Sequence, residues 1–424
     1  MCIRDSINII PYRIDEVHFQ SAEIVCGSGY LDITSAAAAA FYYIDDLILE
    51  GHQICAITKT EKTKAEDAEI LTVNGSYILP GMIDIHSDMI ENFIQPRSTA
   101  VLDFEMALQE AEKVILMSGI TTMFHSISMY RDGTWDVKEI RQAPQVKKFA
   151  KLISDYKREN HLIHHRYHLR YEIDNLACYD DVTQMLQNGL VDLISFMDHS
   201  PGQGQYKNLE IYRKHLPQEG QNISDQEFRD LLYKEQHKVT ADFEQLKTLS
   251  LLASSKGISV ASHDDDTVEK LKVNRELGVK ISEFPIALEV AQEAVAQGFL
   301  TVLGAPNILL GGSHSGNLSA LEAIRAGGAS VLVSDYYPQS LLQAVFYLYK
   351  KEGIPLPQAV SYVSLNPAKA VGLDKDTGSI EEGKRADLLI VDGSSKYPIL
   401  QHVFVDGTKV LSCQYRAGSP CLSK

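Results

Sequence analysis

Pro80-Gly81-Met82-Ile83-Asp84-Ile85-His86-Ser87-Asp88 decides how this chain is read. An apolar run ends abruptly in His-x-Asp. In a strand, residues two apart point to the same side. His86 and Asp88 therefore present an imidazole and a carboxylate together at a strand end, and both are good ligands for a borderline divalent metal. Alone, such a pair is more often an ordinary surface turn. The rest of the chain changes that balance. His168 and Glu172 lie in His-Leu-Arg-Tyr-Glu, and Asp198 and His199 end the run Leu193 to Met197. His263, followed by Asp264, Asp265 and Asp266, ends Ile258 to Ser262, and Asp335 ends Val331 to Ser334. One such ending is chance. A series of them is the pattern of an α/β barrel whose strand C-termini converge on one site.

Outward from this stretch, residues 7 to 79 read as short β segments separated by turns such as Glu50-Gly51 and Asn74-Gly75, with Ala36 to Ala40 a possible helical turn. From 80 to 372, strand-like runs alternate with helical ones. Ala107 to Ser118 and Asp242 to Lys256 have helical spacing, end at Gly119 and Gly257, and lead into strands. Repeated helix, glycine, strand units imply a parallel sheet. Residues 202 to 240 are polar and read as an insertion over the barrel mouth, either a lid or a plain surface helix pair. Residues 373 to 424 return to β character. The expected organisation is therefore a (β/α)8 barrel over 80–372, inserted in a small β-sandwich built from 1–79 and 373–424. Met1 to Ser6 fits nothing around it and carries no functional signal.

The chain has 424 residues, 45% of them hydrophobic and 23% charged, ample for a full core. Its net charge of −16 argues against nonspecific nucleic-acid or membrane partners. An anionic substrate stays open, because a metal and a few local cations invert a local field. Six scattered cysteines form no Cys-x-x-Cys, so a cysteine zinc site is not expected, and reduced thiols point to the cytoplasm. No secretory signal or membrane-length apolar run is found.

These motifs resemble the amidohydrolase superfamily, which implies a distorted (β/α)8 barrel with one or two divalent metals. Zinc is expected first, with manganese or iron as alternatives. The family pattern has His-x-His on strand 1, a carboxylated Lys or Glu on strand 4, a His on each of strands 5 and 6, and an Asp on strand 8. Matched by order, His86 and Asp88 take the first position, Glu172 the bridging position, His199 and His263 the two His positions, and Asp335 the last. Asp88 departs from the pattern, and an oxygen ligand there also tolerates harder ions. A narrower resemblance rests on Met197-Asp198-His199-Ser200-Pro201-Gly202-Gln203, Gly311-Gly312-Ser313-His314-Ser315-Gly316-Asn317 and Ser334-Asp335-Tyr336-Tyr337-Pro338. These are similar to the diphosphatase branch of phosphonate metabolism, in the carbon–phosphorus lyase pathway. That branch implies hydrolysis of α-D-ribose 1-methylphosphonate 5-triphosphate to the 5-phosphate and pyrophosphate.

The chemistry suits the residues independently. A metal lowers the pKa of a bound water and polarises a phosphoryl oxygen, and Asp335 is placed as both ligand and base. Ser313, His314 and Asn317, in a run of small residues, are candidates to wrap an anion. Arg170 and Arg97 are candidate phosphate or phosphonate clamps, or structural ion pairs. His161, His164 and His165 read as solvent-side or capping residues, while His125 and His168 could line the pocket. A homo-oligomer is expected. Two other readings compete: hydrolysis of a cyclic amide or amine, and a non-catalytic scaffold barrel. The set of six candidate ligands argues against the scaffold.

Overall fold

The computed structural model describes residues 16–25, 41–58, 69–73, 75–131, 138–206, 209–216, 223–312 and 317–414. Strands β1 (Glu16–Val25), β2 (Phe41–Glu50), β3 (Gln53–Thr58), β4 (Glu69–Thr72) and β5 (Tyr77–Pro80) come first. Eight more follow: β6 (Met82–Ser87), β7 (Ile120–Met129), β8 (His164–Glu172), β9 (Leu193–Met197), β10 (Ser259–His263), β11 (Ile281–Glu283), β12 (Leu300–Gly304) and β13 (Val331–Val333). The last are β14 (Leu388–Asp392), β15 (Ile399–Val405) and β16 (Thr408–Ser412).

Strands β6 to β13 pair in parallel, each with its neighbour in sequence. A parallel bridge between Ser87 and Asp335 joins the first to the last. This is the eight-stranded barrel. Inside it pack Ile83, Ile85, Phe124, Leu193, Ala261, Ile281, Val302, Val331 and Val333. Phe124 faces inward, so His125 next to it faces the helical layer. The helices that cover the barrel form where the sequence predicts. Phe104–Met117 begins at Asp103, whose side chain accepts from Met106 N, and the chain reverses at Gly119 with φ 87°. Phe243–Ser255 opens with a capping box between Asp242 and Gln245.

The two chain ends share one sheet in the order β16-β15-β14-β5-β1-β2-β3, with β4 also beside β1. The sheet bends, because Leu47, Leu49 and Ile54 pack against Leu388, Ile390 and Phe404. The N- and C-terminal segments thus make one small β module, as expected; Ala36 to Ala40 lie outside the described residues. Gly81 links this module to the barrel. A Cβ there would lie 2.2 Å from Thr121 Oγ1, so only glycine fits where β5 runs into β6. No helix among the described residues is long and apolar enough to cross a membrane.

Candidate metal centre

Barrel closure assembles the site. Asp88 N donates to Asp335 O at 2.8 Å, and Asp335 N donates to His86 O at 3.0 Å. These bonds bring His86, Asp88 and Asp335 to one place from sequence positions about 250 residues apart. At three strand ends the backbone turns left-handed on a residue other than glycine: Asp264 (φ 53°), Phe284 (φ 51°) and Asp335 (φ 60°). Such positions cost on the order of 1–3 kcal/mol and persist where the surroundings over-determine them. Here they redirect the chain where each strand reaches the mouth.

The mouth holds a cavity of about 270 Å³. His86, Asp88, His199, His263, Asp264 and Asp335 line one side. Arg141, Arg170, Tyr130, Tyr206, Phe284, Asn307 and Asn317 are also in the lining. Tyr206 comes from the 202–240 insertion, which forms the short helices Leu209–His215 and Asp225–Gln236. Gln236 Nε2 donates to Pro201 O at 3.1 Å and holds the insertion against the end of β9.

Buried carboxylates orient the imidazoles. His86 Nδ1 donates to Glu283 Oε1 at 2.9 Å, which leaves Nε2 for the cavity. Burial, then the charge of Arg170, keeps His86 well below the usual imidazole range, so it is neutral with a lone pair to give. A line of buried hydrogen bonds continues beneath His86. His168 Nδ1 lies 3.0 Å from Ser126 Oγ and 3.1 Å from Ile85 O, His168 Nε2 lies 2.5 Å from Ser195 Oγ, and Ser195 Oγ donates to Glu283 Oε2 at 2.5 Å. Burial drives His168 down to about 3, consistent with a neutral ring. On the other wall, His199 Nδ1 donates to Glu172 Oε1 at 2.7 Å. Burial opposes charge on both, yet the pairing raises His199 and lowers Glu172.

One part of the centre is left without partners. Both ring nitrogens of His263 and Oδ2 of Asp264 are buried with no hydrogen bond among the described residues. His263 Nδ1 lies 3.0 Å from Asp264 Oδ2, without hydrogen-bond geometry. Buried polar atoms are rarely orphaned in native folds. His86, His263 and Glu283 offer ligand atoms within 4.8 Å of one another, and so do His199, His263 and Asp264. This histidine and carboxylate donor set fits a borderline divalent cation.

The structure brings five of the six expected ligands to the cavity lining: His86, Asp88, His199, His263 and Asp335. Glu172 stands behind His199 rather than in the lining. The strand positions matched from the resemblance need correcting. Glu172 ends the third barrel strand, His199 follows the fourth and His263 ends the fifth, each one strand earlier than expected. Order along the chain does not count strands, and β7 contributes no residue to the lining. Arg170 lines the cavity, but Arg97 is exposed in a turn, where its carbonyl accepts from Ala100 N at 3.0 Å. Arg141 takes the second cationic position, held by Glu91 through bonds of 2.8 and 2.9 Å and 3.8 Å from Asp88. Asn317 lines the cavity, while Ser313 and His314 lie outside the described residues. His125, His168 and His165 are all buried away from the cavity, so His165 is not on the solvent side. Sequence reasoning missed Arg141, Tyr130 and Tyr206, which carry no strand-end signature of histidine or carboxylate. Glu283 and Asp264 did carry one, the first in Glu283-Phe284-Pro285.

Burial, then the adjacent Asp88 carboxylate, pushes Asp335 up to about 7, and burial does the same to Asp84. A carboxyl whose folded pKa is raised holds its proton in the native state, so stability is lost as pH rises through that value. Raised His199 acts in the same direction, while the lowered histidines oppose it until their unfolded rings are neutral, well above 6.5. The Asp335→Asn variant removes the contribution of Asp335 alone. The metal-free protein should therefore lose more melting temperature between pH 6.5 and pH 8 than its Asp335→Asn variant does. Scanning fluorimetry after chelation checks this, and an equal loss in the variant would contradict it.

Known proteins resemble this chain in sequence and fold. The model of the Amidohydrolase family matches residues 77–410. The alpha-D-ribose 1-methylphosphonate 5-triphosphate diphosphatase of Escherichia coli K12 is 34% identical over 348 residues, 81% of this chain and 90% of that protein. An imidazolonepropionase of Porphyromonas gingivalis is 30% identical over 179 residues, 38% of this chain and 40% of its own. Among solved structures, the dihydropyrimidinase of Brevibacillus agri superimposes with a TM-score of 0.60 at 13% identity, covering 94% of this chain and 95% of that one. The N-acetylglucosamine-6-phosphate deacetylase of Pasteurella multocida gives 0.59 at 15% identity, covering 92% and 98%. With barrel, donor set and family match in agreement, the chain belongs to the amidohydrolase family, whose members are metal-dependent hydrolases.

Proposed function

We propose that the chain hydrolyses α-D-ribose 1-methylphosphonate 5-triphosphate to the 5-phosphate and pyrophosphate, with two divalent ions, zinc foremost. The observation that carries this is Arg170. It is only 9% exposed, lines the cavity, and has no hydrogen bond or ion pair among the described residues. A buried guanidinium without a hydrogen-bond acceptor is costly, even with the charges of Asp88, Glu172 and Asp335 facing it. An anionic substrate supplies the partner, whereas a neutral cyclic amide does not. The extended similarity to the Escherichia coli diphosphatase supports the same substrate.

His86, Asp88, His199, His263 and Asp335 would hold the ions with Asp264, while Glu172 and Glu283 orient the imidazoles. When bound, such ions polarise a phosphoryl oxygen and lower the pKa of water. Asp335 accepts the proton of the attacking water. Water oxygen bonds to phosphorus as the anhydride link between the first and second phosphates opens, and the departing oxygen keeps the electron pair. Arg170 and Arg141 balance the charge that builds on the phosphoryl oxygens. Ser313, His314 and Asn317 are the residues we assign to binding the phosphate or phosphonate end. We expect a cytoplasmic setting and a homo-oligomer.

The test is product analysis with the purified protein and added Zn²⁺ or Mn²⁺. We expect pyrophosphate from the ribose triphosphate, abolished by chelation and restored by metal. Turnover of hydantoins or dihydropyrimidines with no release from phosphoanhydrides would replace this reading with the cyclic amide one.

A further inference from the structure

A second group of histidines and a carboxylate lies outside the cavity, between the barrel wall and its helices. Helix Phe104–Met117 turns Phe104, Ala107, Leu108, Ala111, Ile115 and Leu116 inward. Glu112 lies on that same apolar face and is 6% exposed. A carboxylate there is expensive unless its charge is met. No Lys or Arg among the described residues comes within 4.0 Å of it; its ion-pair partners are two imidazoles. Glu112 Oε2 is 3.2 Å from His165 Nε2 and 3.7 Å from His161 Nδ1, and the three ligand atoms lie within 4.8 Å of one another.

We propose that Glu112, His161 and His165 form a second divalent-metal site, of the zinc class, separate from the catalytic cavity. Two imidazoles and a carboxylate are a recurrent zinc donor set. Ligands about 2.0–2.1 Å from a tetrahedral ion stand roughly 3.3–3.4 Å apart, close to the two separations seen. The surroundings fix the ligands. His165 Nδ1 lies 2.9 Å from His125 Nε2, so its second nitrogen is engaged behind the site. The ring of His161 stacks on Tyr156 at 3.8 Å and 11°. Leu162 N donates to Glu112 Oε2 at 3.2 Å. The His161 side chain is 12% exposed, which leaves a way in from solvent. None of the three lines the cavity. An ion here would tie the helix to the start of β8, the strand that carries Arg170 and Glu172 to the mouth.

The test is a metal count on the full-length protein. Wild type, His161→Ala and Glu112→Gln are dialysed to equilibrium against micromolar Zn²⁺, and zinc per chain is measured by mass spectrometry. Each variant should carry about one equivalent less than wild type, and His161→Ala should lose part of the zinc-induced rise in melting temperature while keeping wild-type turnover. His161→Ala decides the matter should Glu112→Gln fold poorly, since it leaves the buried carboxylate in place. The same comparison in an Asp335→Asn background keeps the result independent of the catalytic ions and of the substrate. Equal zinc content in wild type and His161→Ala, in either background, would overturn the proposal and leave a hydrogen-bonded cluster only.

Discussion

Asp335→Asn should lower pyrophosphate release by about 10²- to 10⁴-fold, the range for loss of a general base. Asparagine preserves shape and an amide oxygen but cannot take a proton from the attacking water. Asp335 sits on a left-handed residue at the barrel seam, and its backbone N and O hold β6. Those bonds are backbone bonds, so the variant keeps them. Asparagine also tolerates the left-handed region. The expected result is therefore a folded protein with little turnover. Loss of a metal ligand would mimic the effect, so metal content is measured on the same sample. Full occupancy with near-normal release would show that Asp335 is not the base, and would shift attention to Glu172 or to Asp264, whose Oδ2 is buried without a hydrogen bond among the described residues.

Arg170→Met should lower kcat/KM for the triphosphate by about 10- to 150-fold. That is the rate equivalent of losing one charged hydrogen-bonding group, about 1.5–3 kcal/mol. Because the guanidinium makes no hydrogen bond to the described protein, its removal leaves no donor or acceptor unsatisfied. The loss should thus fall on the substrate rather than on the fold. Steady-state kinetics and a thermal melt on one preparation separate the two. Unchanged kcat/KM would remove the main support for an anionic substrate.

Much of this was legible in the chain itself. Continuous apolar runs that stop in His, Asp or Glu marked barrel strands and their C-terminal ends, because a strand buried on both faces is apolar until it reaches the mouth. Glycines after helices marked the returns, as Gly119 and Gly257 confirm with φ of 87° and 74°. The β character of both ends foretold a shared module, since strands need a partner edge.

Only the tertiary structure decided what the residues at the mouth face. His125 and His168 have the same side chain and similar strands, yet one turns to the helical layer and the other into the line of hydrogen bonds beneath His86. Arg97 and Arg141 are indistinguishable by type, but Arg141 alone is seated at the cavity by a buried Glu91. Glu283 orients His86 across 197 residues of sequence. Local pattern reports the period of an element and where it stops. Which side chains meet depends on strand count, pleat and barrel closure, and those arise only when distant segments pack together.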